Sequence, residues 1–599
     1  MRRSVRLAVL PVLALATPAL AQTAPSTTPG QPVNRMPVDR MVVFGDSLSD
    51  GGFFLTVLPT VPRDAGSFTT NPDPVAPEVL ASLIGLTLNP VYGQGGTNYA
   101  VGGARVTAAN GFAIPITTQI NNFIAGGGMF NSRDLVYIQG GGNDYFSFLA
   151  GGGRDPTILT TAAGQLAAQV ARVQGLGAQR IVTLAIQSGG AAGIQLFNQT
   201  FAAALKAANV NALYFDTDRL FNEIVTNAAS FGITNTTGVA CTVPSSLNCN
   251  RSTLVTPNAN NTYVLADSVH PSGVVQRIQG QAIASLVRAP EQIAGLGYAG
   301  QALFRSQRDL LEAPERGGAA RDGRRLAVFG SSGYHYYSSG SSDQRVGLTE
   351  RTFSGLIGAD LALGESSGVG VAGGYAKGGG DFELGAGDYR VRAYTANAYL
   401  RAGLGPVRVL VDGTYGDLRY PRITRRAQLG LTTRANSGDM DGTYYAGRGV
   451  AAVDLLSTGA ISVGPEVSGQ YERLTLDGYG ETGTSSTDAA FGRQRIRSVT
   501  GRAGLVARTR PGSSLGFFAR GGYEREFEDN TRTITLTPAG APISFTSGVE
   551  RADRNYLSYG MGVDGTVYGP VSVRAGVSGY ALRGNRDSLT SYAGLSVAF

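Results

Sequence analysis

The 599-residue chain has no tryptophan, two cysteines and two histidines, and only 16% of its residues are charged. With so few sulfur and imidazole ligands, the sequence predicts no metal site, and it calls for no cofactor. The net charge of +7 is spread over 50 basic and 43 acidic residues without a long basic run. No nucleic-acid partner is therefore expected, because nucleic-acid-binding proteins concentrate their basic residues in patches.

Long apolar runs are also missing beyond the N-terminus. No window there holds about 18 consecutive apolar residues, which excludes a membrane-spanning helix but not a transmembrane β-barrel. The N-terminus itself has the layout of a secretory signal, with arginines in the first six residues, an apolar stretch over 7–15 and small residues up to Ala21. We expect a signal peptide over 1–21, export of the chain, and a Pro-, Thr- and Ser-rich spacer over 22–37.

The two cysteines, Cys241 and Cys249, lie eight residues apart in a polar loop. In an exported protein such a pair is expected to form a disulfide that closes a small ring. The alternative is a pair of free thiols that stay reduced. Too few other ligands lie nearby to suggest a metal.

Residues 38–290 alternate short apolar strands with helical stretches. The strand-like runs are MVVFG, LVYIQ, RIVTLAI and ALYFD, and helix-like segments separate them. This alternation of strands and helices predicts a three-layer α/β domain, with a largely parallel sheet covered by helices on both faces. Ligand sites in such sheets lie beyond the carboxyl ends of the strands.

Residues 291–324 have apolar and charged positions at near-helical spacing and predict a linker helix, which becomes rich in glycine and charge from Arg316. From 325 to 599, two-residue alternation replaces helical periodicity. About twelve alternating segments are long enough for tilted membrane strands, and short and long connections alternate between them. We predict an antiparallel transmembrane β-barrel of about twelve strands; a soluble β-sandwich or repeat is the alternative.

The segment MVVFGDSLSDGG, residues 41–52, is a strand-like run that ends in a Gly-Asp-Ser turn. A serine on such a turn lies clear of the sheet with its hydroxyl exposed. A helix starting directly behind it would turn free N–H groups towards a developing oxyanion. Ser47 is therefore a candidate nucleophile, and the alternative is an ordinary helix cap.

His270 is the only histidine of residues 38–290, and Asp267 precedes it by three residues. A neutral imidazole is well suited to take a proton from a serine hydroxyl near neutral pH. Asp267 can accept a hydrogen bond from the other ring nitrogen, which fixes the tautomer and the orientation of the ring. Ser47, Asp267 and His270 thus form a candidate triad, although an isolated DxxH can equally cap a loop. The other histidine, His335, falls in the first predicted barrel strand, where a structural role is expected.

Two further segments offer oxyanion donors. NYAVGGAR carries Gly102 and Gly103, whose bare backbone N–H groups can approach a substrate oxygen, and GGGND places the Asn143 amide after a strand. The Ser47 N–H, one of the two glycine N–H groups and the Asn143 amide would surround one oxyanion. Each segment can instead be a tight turn, since glycine is frequent throughout this chain.

GDSLSD, NYAVGGAR, GGND and DSVHPS, in this order, resemble the characteristic blocks of the GDSL (SGNH) family of esterases and lipases. Followed by the barrel pattern, they make the chain similar to the autotransporter esterases of Gram-negative bacteria. The resemblance implies Ser47 as nucleophile, Asp267 and His270 as its triad partners, and Gly102 and Asn143 as oxyanion donors, with Gly103 as the alternative to Gly102. Ser49 stands where the G-x-S-x-G elbow of an α/β-hydrolase has its second glycine, which argues against that family.

The resemblance also implies an outer-membrane location, with the catalytic domain facing the cell exterior and the linker helix threading the barrel. Outer-membrane lipid would surround the barrel, and the insertion machinery would recognise the last strand, which ends at Phe599. We therefore expect a cell-surface serine carboxylesterase or lipase that hydrolyses ester or lipid substrates. The alternatives are an adhesin or binding passenger on a catalytically idle esterase scaffold, and a pore with an appended domain.

Overall fold

The computed structural model describes residues 38–311, 324–342, 346–457, 461–509, 515–528, 532–549 and 551–599. The predicted signal peptide and spacer, and residues 312–323 of the predicted linker, lie outside this described part of the chain.

The N-terminal domain alternates strands with helices. Its strands are β1 (Arg40–Phe44), β2 (Asp134–Ile138), β3 (Arg180–Leu184), β4 (Leu213–Phe215), β5 (Asn235–Val239) and β6 (Tyr263–Leu265). Its helices are α1 (Phe54–Val57), α2 (Ala76–Leu83), α3 (Ile116–Ala125), α4 (Gly142–Ala150), α5 (Thr157–Gly175), α6 (Ala192–Ala207), α7 (Thr217–Thr226), α8 (Ala259–Thr262) and α9 (Gly273–Asp309).

Strands β1 to β4 form a parallel sheet in that order. Because side chains alternate across a strand, neighbouring residues of β1 enter different cores. Val43 packs on one face with residues of α2, α7 and α9, and Val42 packs on the other with residues of α3, α5 and α6. The predicted three-layer α/β fold is therefore confirmed.

The C-terminal part consists almost entirely of strands. They are β7 (Leu326–Ser339), β8 (Leu348–Ala362), β9 (Gly368–Phe382), β10 (Gly387–Leu404), β11 (Val407–Leu429), β12 (Thr432–Val453), β13 (Leu456–Ser457), β14 (Ile461–Leu476), β15 (Tyr479–Gly480), β16 (Ala489–Phe491), β17 (Gln494–Thr509), β18 (Leu515–Glu526), β19 (Thr533–Pro538), β20 (Phe545–Gly548), β21 (Asn555–Tyr568), β22 (Val571–Ala581) and β23 (Arg586–Ala598).

Twelve of these strands close into an antiparallel barrel. Following the wall, they are β7 to β12, β14, β17, β18, β21, β22 and β23, and β23 pairs back with β7. Outward and inward residues alternate: Leu400 of β10 is exposed, whereas Asn397 is buried inside. The prediction of about twelve strands is confirmed. His335 in β7 is buried inside the wall, with Nδ1 3.2 Å from Thr590 Oγ1.

Helix α9 joins the two parts and runs without a break across residue 290, where the sequence suggested a boundary. Its first half packs against α2 of the N-terminal domain, and its second half is buried inside the barrel. Small residues allow this passage: a Cβ at Gly297 would lie 2.3 Å from Ile496 Cδ1 of the wall. Near its end, Arg305 forms a buried ion pair of 2.7 Å with Glu472. None of the helices in the described residues is long and apolar enough to cross a membrane.

Connections of the barrel also contact the N-terminal domain. Strands β15, β16, β19 and β20 form a separate small sheet. The Asn211 side chain accepts a 2.7 Å hydrogen bond from the Thr546 N–H of β20 and donates a 3.0 Å bond to its carbonyl. Ile543, next to β20, packs into the core between the α/β sheet and α3, α5 and α6. The small sheet therefore completes part of the α/β domain.

Candidate active site

Ser47 lies on a turn just beyond the carboxyl end of β1. The turn is closed by a 3.0 Å hydrogen bond from the Ser49 N–H to the Asp46 carbonyl. It is held to the domain by Gln119, whose side chain accepts a hydrogen bond from the Gly45 N–H and donates one to the Gly45 carbonyl. The Ser49 hydroxyl donates to the Gln139 side chain at 3.0 Å. These hydrogen bonds fix the turn that carries Ser47 to the rest of the domain, and Ser47 itself is 8% exposed.

The structure differs from the expectation of a helix directly behind Ser47. The first helix, α1, begins only at Phe54 and has four residues. Gly51 and Gly52 intervene, and Gly52 has a φ of +120°, which is incompatible with a helix. Ser47 is consequently not a helix cap, and its N–H belongs to a turn rather than to a helix N-terminus.

The structure brings Ser47, Asp267 and His270 together, although 220 residues separate the serine from Asp267 in sequence. His270 Nε2 lies 2.9 Å from Ser47 Oγ, and His270 Nδ1 lies 2.9 Å from Asp267 Oδ2. His270 follows β6, so two separate strand ends deliver the serine and the histidine. The half-buried Phe68 ring packs against the imidazole at a centroid distance of 5.0 Å.

Asp267 is buried and accepts backbone hydrogen bonds on both oxygens. Oδ1 accepts from the N–H groups of Val269 and His270, and Oδ2 accepts from the N–H of Ser246 at 2.7 Å. Burial raises the pKa of this carboxyl. The hydrogen bond and charge of His270 and the side-chain hydrogen bond of Ser246 outweigh burial, so the pKa of Asp267 lies below its usual range. The Asp267 carboxylate is therefore ionised at neutral pH.

The two candidate glycines differ in their hydrogen bonds. The Gly102 N–H donates to Asp50 Oδ2 at 2.8 Å, so it is already occupied. Within the described residues, the N–H groups of Gly103 and Ser47 have no acceptor. The Asn143 Nδ2 donates to the Ala104 carbonyl at 3.0 Å and keeps a second hydrogen. The geometry therefore favours Gly103 over Gly102 as a donor.

Two buried acids that the motifs alone do not single out hold these donor loops. Asp144 binds the Arg105 side chain and the Val106 N–H, both at 3.0 Å, and so ties α4 to the Gly103 loop. Asp50 accepts from the N–H groups of Gly52 and Phe53 as well as from Gly102. Burial raises the pKa of Asp50 to about 6. Both acids lie within the motifs GDSLSD and GGND, and this position in the sequence is the feature that could have marked them as site residues.

Cys241 and Cys249 are joined by a disulfide in the structure. The ring that they close lies beside the Asp267 loop, since the Cys241 N–H donates to the Ala266 carbonyl at 3.0 Å. Among the described residues there is no group of three or more His, Cys, Asp or Glu side chains placed to hold a metal ion.

Comparison with known families agrees with this architecture. The family model of the GDSL-like lipases and acylhydrolases matches residues 41–283, and that of the autotransporter β-domain matches residues 328–578. The chain is a GDSL esterase of the autotransporter type. The barrel of this GDSL esterase lies in the outer membrane and displays the catalytic domain at the cell surface.

Two relatives of this GDSL esterase match it over more than half of their own length. Esterase EstA of Pseudomonas aeruginosa is 28% identical over 90% of this chain and 91% of its own. Lipase 1 of Photorhabdus luminescens is 24% identical over 61% of this chain and 54% of its own. Among solved structures, the translocator domain of the autotransporter NalP from Neisseria meningitidis matches 52% of this chain and 99% of its own, at 15% identity and a TM-score of 0.41.

Proposed function

We propose that the esterase hydrolyses carboxylic esters through a Ser47–His270–Asp267 triad. The observation that carries the proposal is the 2.9 Å contact between His270 Nε2 and Ser47 Oγ, with Asp267 on the opposite ring nitrogen. Ser47 Oγ attacks the ester carbonyl while His270 takes its proton. The imidazolium then gives that proton to the alcohol leaving group, and the acyl-enzyme is cleaved by water that His270 deprotonates.

The oxyanion of each tetrahedral intermediate is proposed to lie among three donors. They are the N–H groups of Ser47 and Gly103 and the second amide hydrogen of Asn143. Two considerations support this set: these N–H groups have no acceptor in the described part of the chain, and the bond from Asn143 to the Ala104 carbonyl holds its amide beside the loop that carries Gly103. Donors that are fixed before the reaction stabilise developing charge without reorganising, which is why their supporting acids matter.

Substitution of Ser47 by Ala tests the proposal. The purified full-length protein in detergent is assayed with a chromogenic short-chain ester, and we expect turnover to fall by about 10³-fold or more. Ser49→Ala is the matched control, because Ser49 lies in the same turn but its hydroxyl contacts Gln139 and not the imidazole. It should retain far more turnover than S47A, because it loses a bond that supports the turn but keeps the nucleophile. An S47A protein that hydrolyses the ester at the wild-type rate would exclude Ser47 as the nucleophile.

An adhesin on an idle esterase scaffold is the competing function. It would have no physical need for an aligned imidazole between serine and aspartate, and no structural observation favours it. For the barrel, the exposed apolar side chains of the wall, such as Ile357, Val371 and Leu505, support contact with outer-membrane lipid. The strand that ends at Phe599 is proposed as the segment that the insertion machinery recognises.

A further inference from the structure

The disulfide-closed loop 241–249 contains a group that reaches the triad. Within it, Ser246 begins a short 3-10 helix, Ser246–Asn248, and its N–H donates the 2.7 Å hydrogen bond to Asp267 Oδ2. This donor comes from a separate loop, whereas the two N–H groups on Oδ1 come from residues next to Asp267 in sequence. Ser246 therefore fixes the side of the carboxylate that its own turn cannot hold.

The loop is anchored firmly enough to act as a support. The buried Asn71 side chain donates to the carbonyls of Ser246, at 3.1 Å, and Cys249, at 2.9 Å. At the other end of the loop, the Cys241 N–H bonds to the carbonyl of Ala266, the residue before Asp267. Both half-cystines are buried and pack with Ala266 in one cluster. The disulfide thus ties the Ser246 N–H to the backbone that carries Asp267.

We propose that the loop closed by Cys241 and Cys249 positions the triad aspartate through the hydrogen bond from the Ser246 N–H to Asp267. This inference rests on the proposed function. Ser246 touches neither the serine nor the imidazole, so it is a positioning residue. Asp267 orients His270 only if its own carboxylate is held at the correct angle. Without the Ser246 donor the carboxylate can rotate, and His270 then spends less time in line with Ser47.

Ser246→Pro removes this donor and puts the ring Cδ in place of its hydrogen, directly against Asp267 Oδ2, so the carboxylate loses the bond and is also displaced. Proline has no N–H and is tolerated at the first position of a helix, and the preceding Ser245 has the extended conformation (ψ 131°) that proline requires. We expect kcat to fall about ten-fold or more with KM unchanged, because the lost bond and the displaced carboxylate change the orientation of Asp267, which does not touch substrate. Ser246→Ala is the matched control: it keeps the N–H donor and removes only the side-chain hydroxyl, which also acts on the Asp267 carboxylate. Its kcat should stay well above that of Ser246→Pro, because the N–H donor is kept and no ring displaces the carboxylate.

A second comparison tests the disulfide. Cys241→Ala/Cys249→Ala should also lower kcat, and adding Ser246→Pro to it should cost less than about three-fold, because the two changes act through the same hydrogen bond. A full further ten-fold loss would overturn the role of the loop. Should the cysteine variant fail to fold, Ser246→Pro against Ser246→Ala decides, since both keep the disulfide.

The outcomes separate this inference from the proposed function. If S47A retains turnover, the triad itself is wrong. If S47A is inactive and S246P has the same kcat as S246A, the triad stands and the positioning role is overturned. A fall in thermal stability with kcat unchanged would likewise overturn it, because that is the result expected of a purely structural loop.

Discussion

Asp50→Asn should separate activity from stability in this esterase. The carboxylate accepts three backbone N–H groups, and the one from Gly102 holds the loop on which Gly103 lies. Asparagine can keep the bonds of Gly52 and Phe53 with its carbonyl, but its NH₂ group then faces the Gly102 N–H. Two donors repel, so the loop is released. Loss of one oxyanion donor costs about 10²-fold or more in kcat, and we expect a loss of about that size with a small change in KM.

Global stability at pH 7 should change little in D50N because two effects oppose each other. An unsatisfied buried N–H costs about 1–3 kcal/mol. The pKa of about 6 for Asp50, against its ordinary value of 3.8, means that ionising this buried group costs about 3 kcal/mol, and asparagine removes that cost. The folded protein binds the Asp50 proton more tightly than the unfolded chain does. Relative to D50N, wild type should therefore lose about 3 kcal/mol of stability as the pH rises from about 4 to about 6, and little above that.

The assay combines steady-state ester hydrolysis at pH 7 with thermal unfolding of both proteins across this pH range. Asp39→Asn is the control, because Asp39 is an exposed carboxylate that pairs with Arg133 on the surface; it should change neither quantity measurably. Wild-type kcat in D50N would show that Asp50 does not hold the donor loop. A stability difference that is independent of pH would contradict the raised pKa.

Two further predictions concern the contacts that join the parts of the chain. Arg305→Met leaves Glu472 buried without its main partner and should destabilise the barrel by about 3–5 kcal/mol, which heat-shift gels would show as a lower temperature of barrel unfolding. The double variant Arg305→Met/Glu472→Gln should recover much of this loss. Equal unfolding midpoints for the single and double variants would refute the pairing. Ile543→Ala opens a cavity in the α/β core and should destabilise that domain by about 2 kcal/mol. Esterase activity should then be lost at a lower temperature, while the unfolding midpoint of the barrel stays constant. A lower barrel midpoint with an unchanged inactivation temperature would contradict the packing of Ile543.

Patterns that repeat along the chain were readable from the sequence. The alternation of strands with helices before residue 290 predicted the parallel sheet, and the two-residue alternation after residue 325 predicted the twelve-stranded barrel. Both predictions succeed because side-chain direction follows a fixed period in strands and helices, and burial selects apolar residues at that period. The chemistry of the site was readable in the same way, since few side chains can act as nucleophile or base and this domain holds one histidine.

Contacts between distant residues were decided by the tertiary structure alone. Nothing in the order of residues shows that the Gly102 N–H is taken by Asp50, which leaves Gly103, or that Ser246 reaches across to Asp267. Nor does the linker pattern reveal that α9 starts within the α/β domain and ends beside Glu472. Local sequence fixes which groups are available as donors and acceptors. Their pairing depends on how sheet, loop and barrel pack in three dimensions, because a hydrogen bond requires atoms that folding alone brings within about 3 Å of each other.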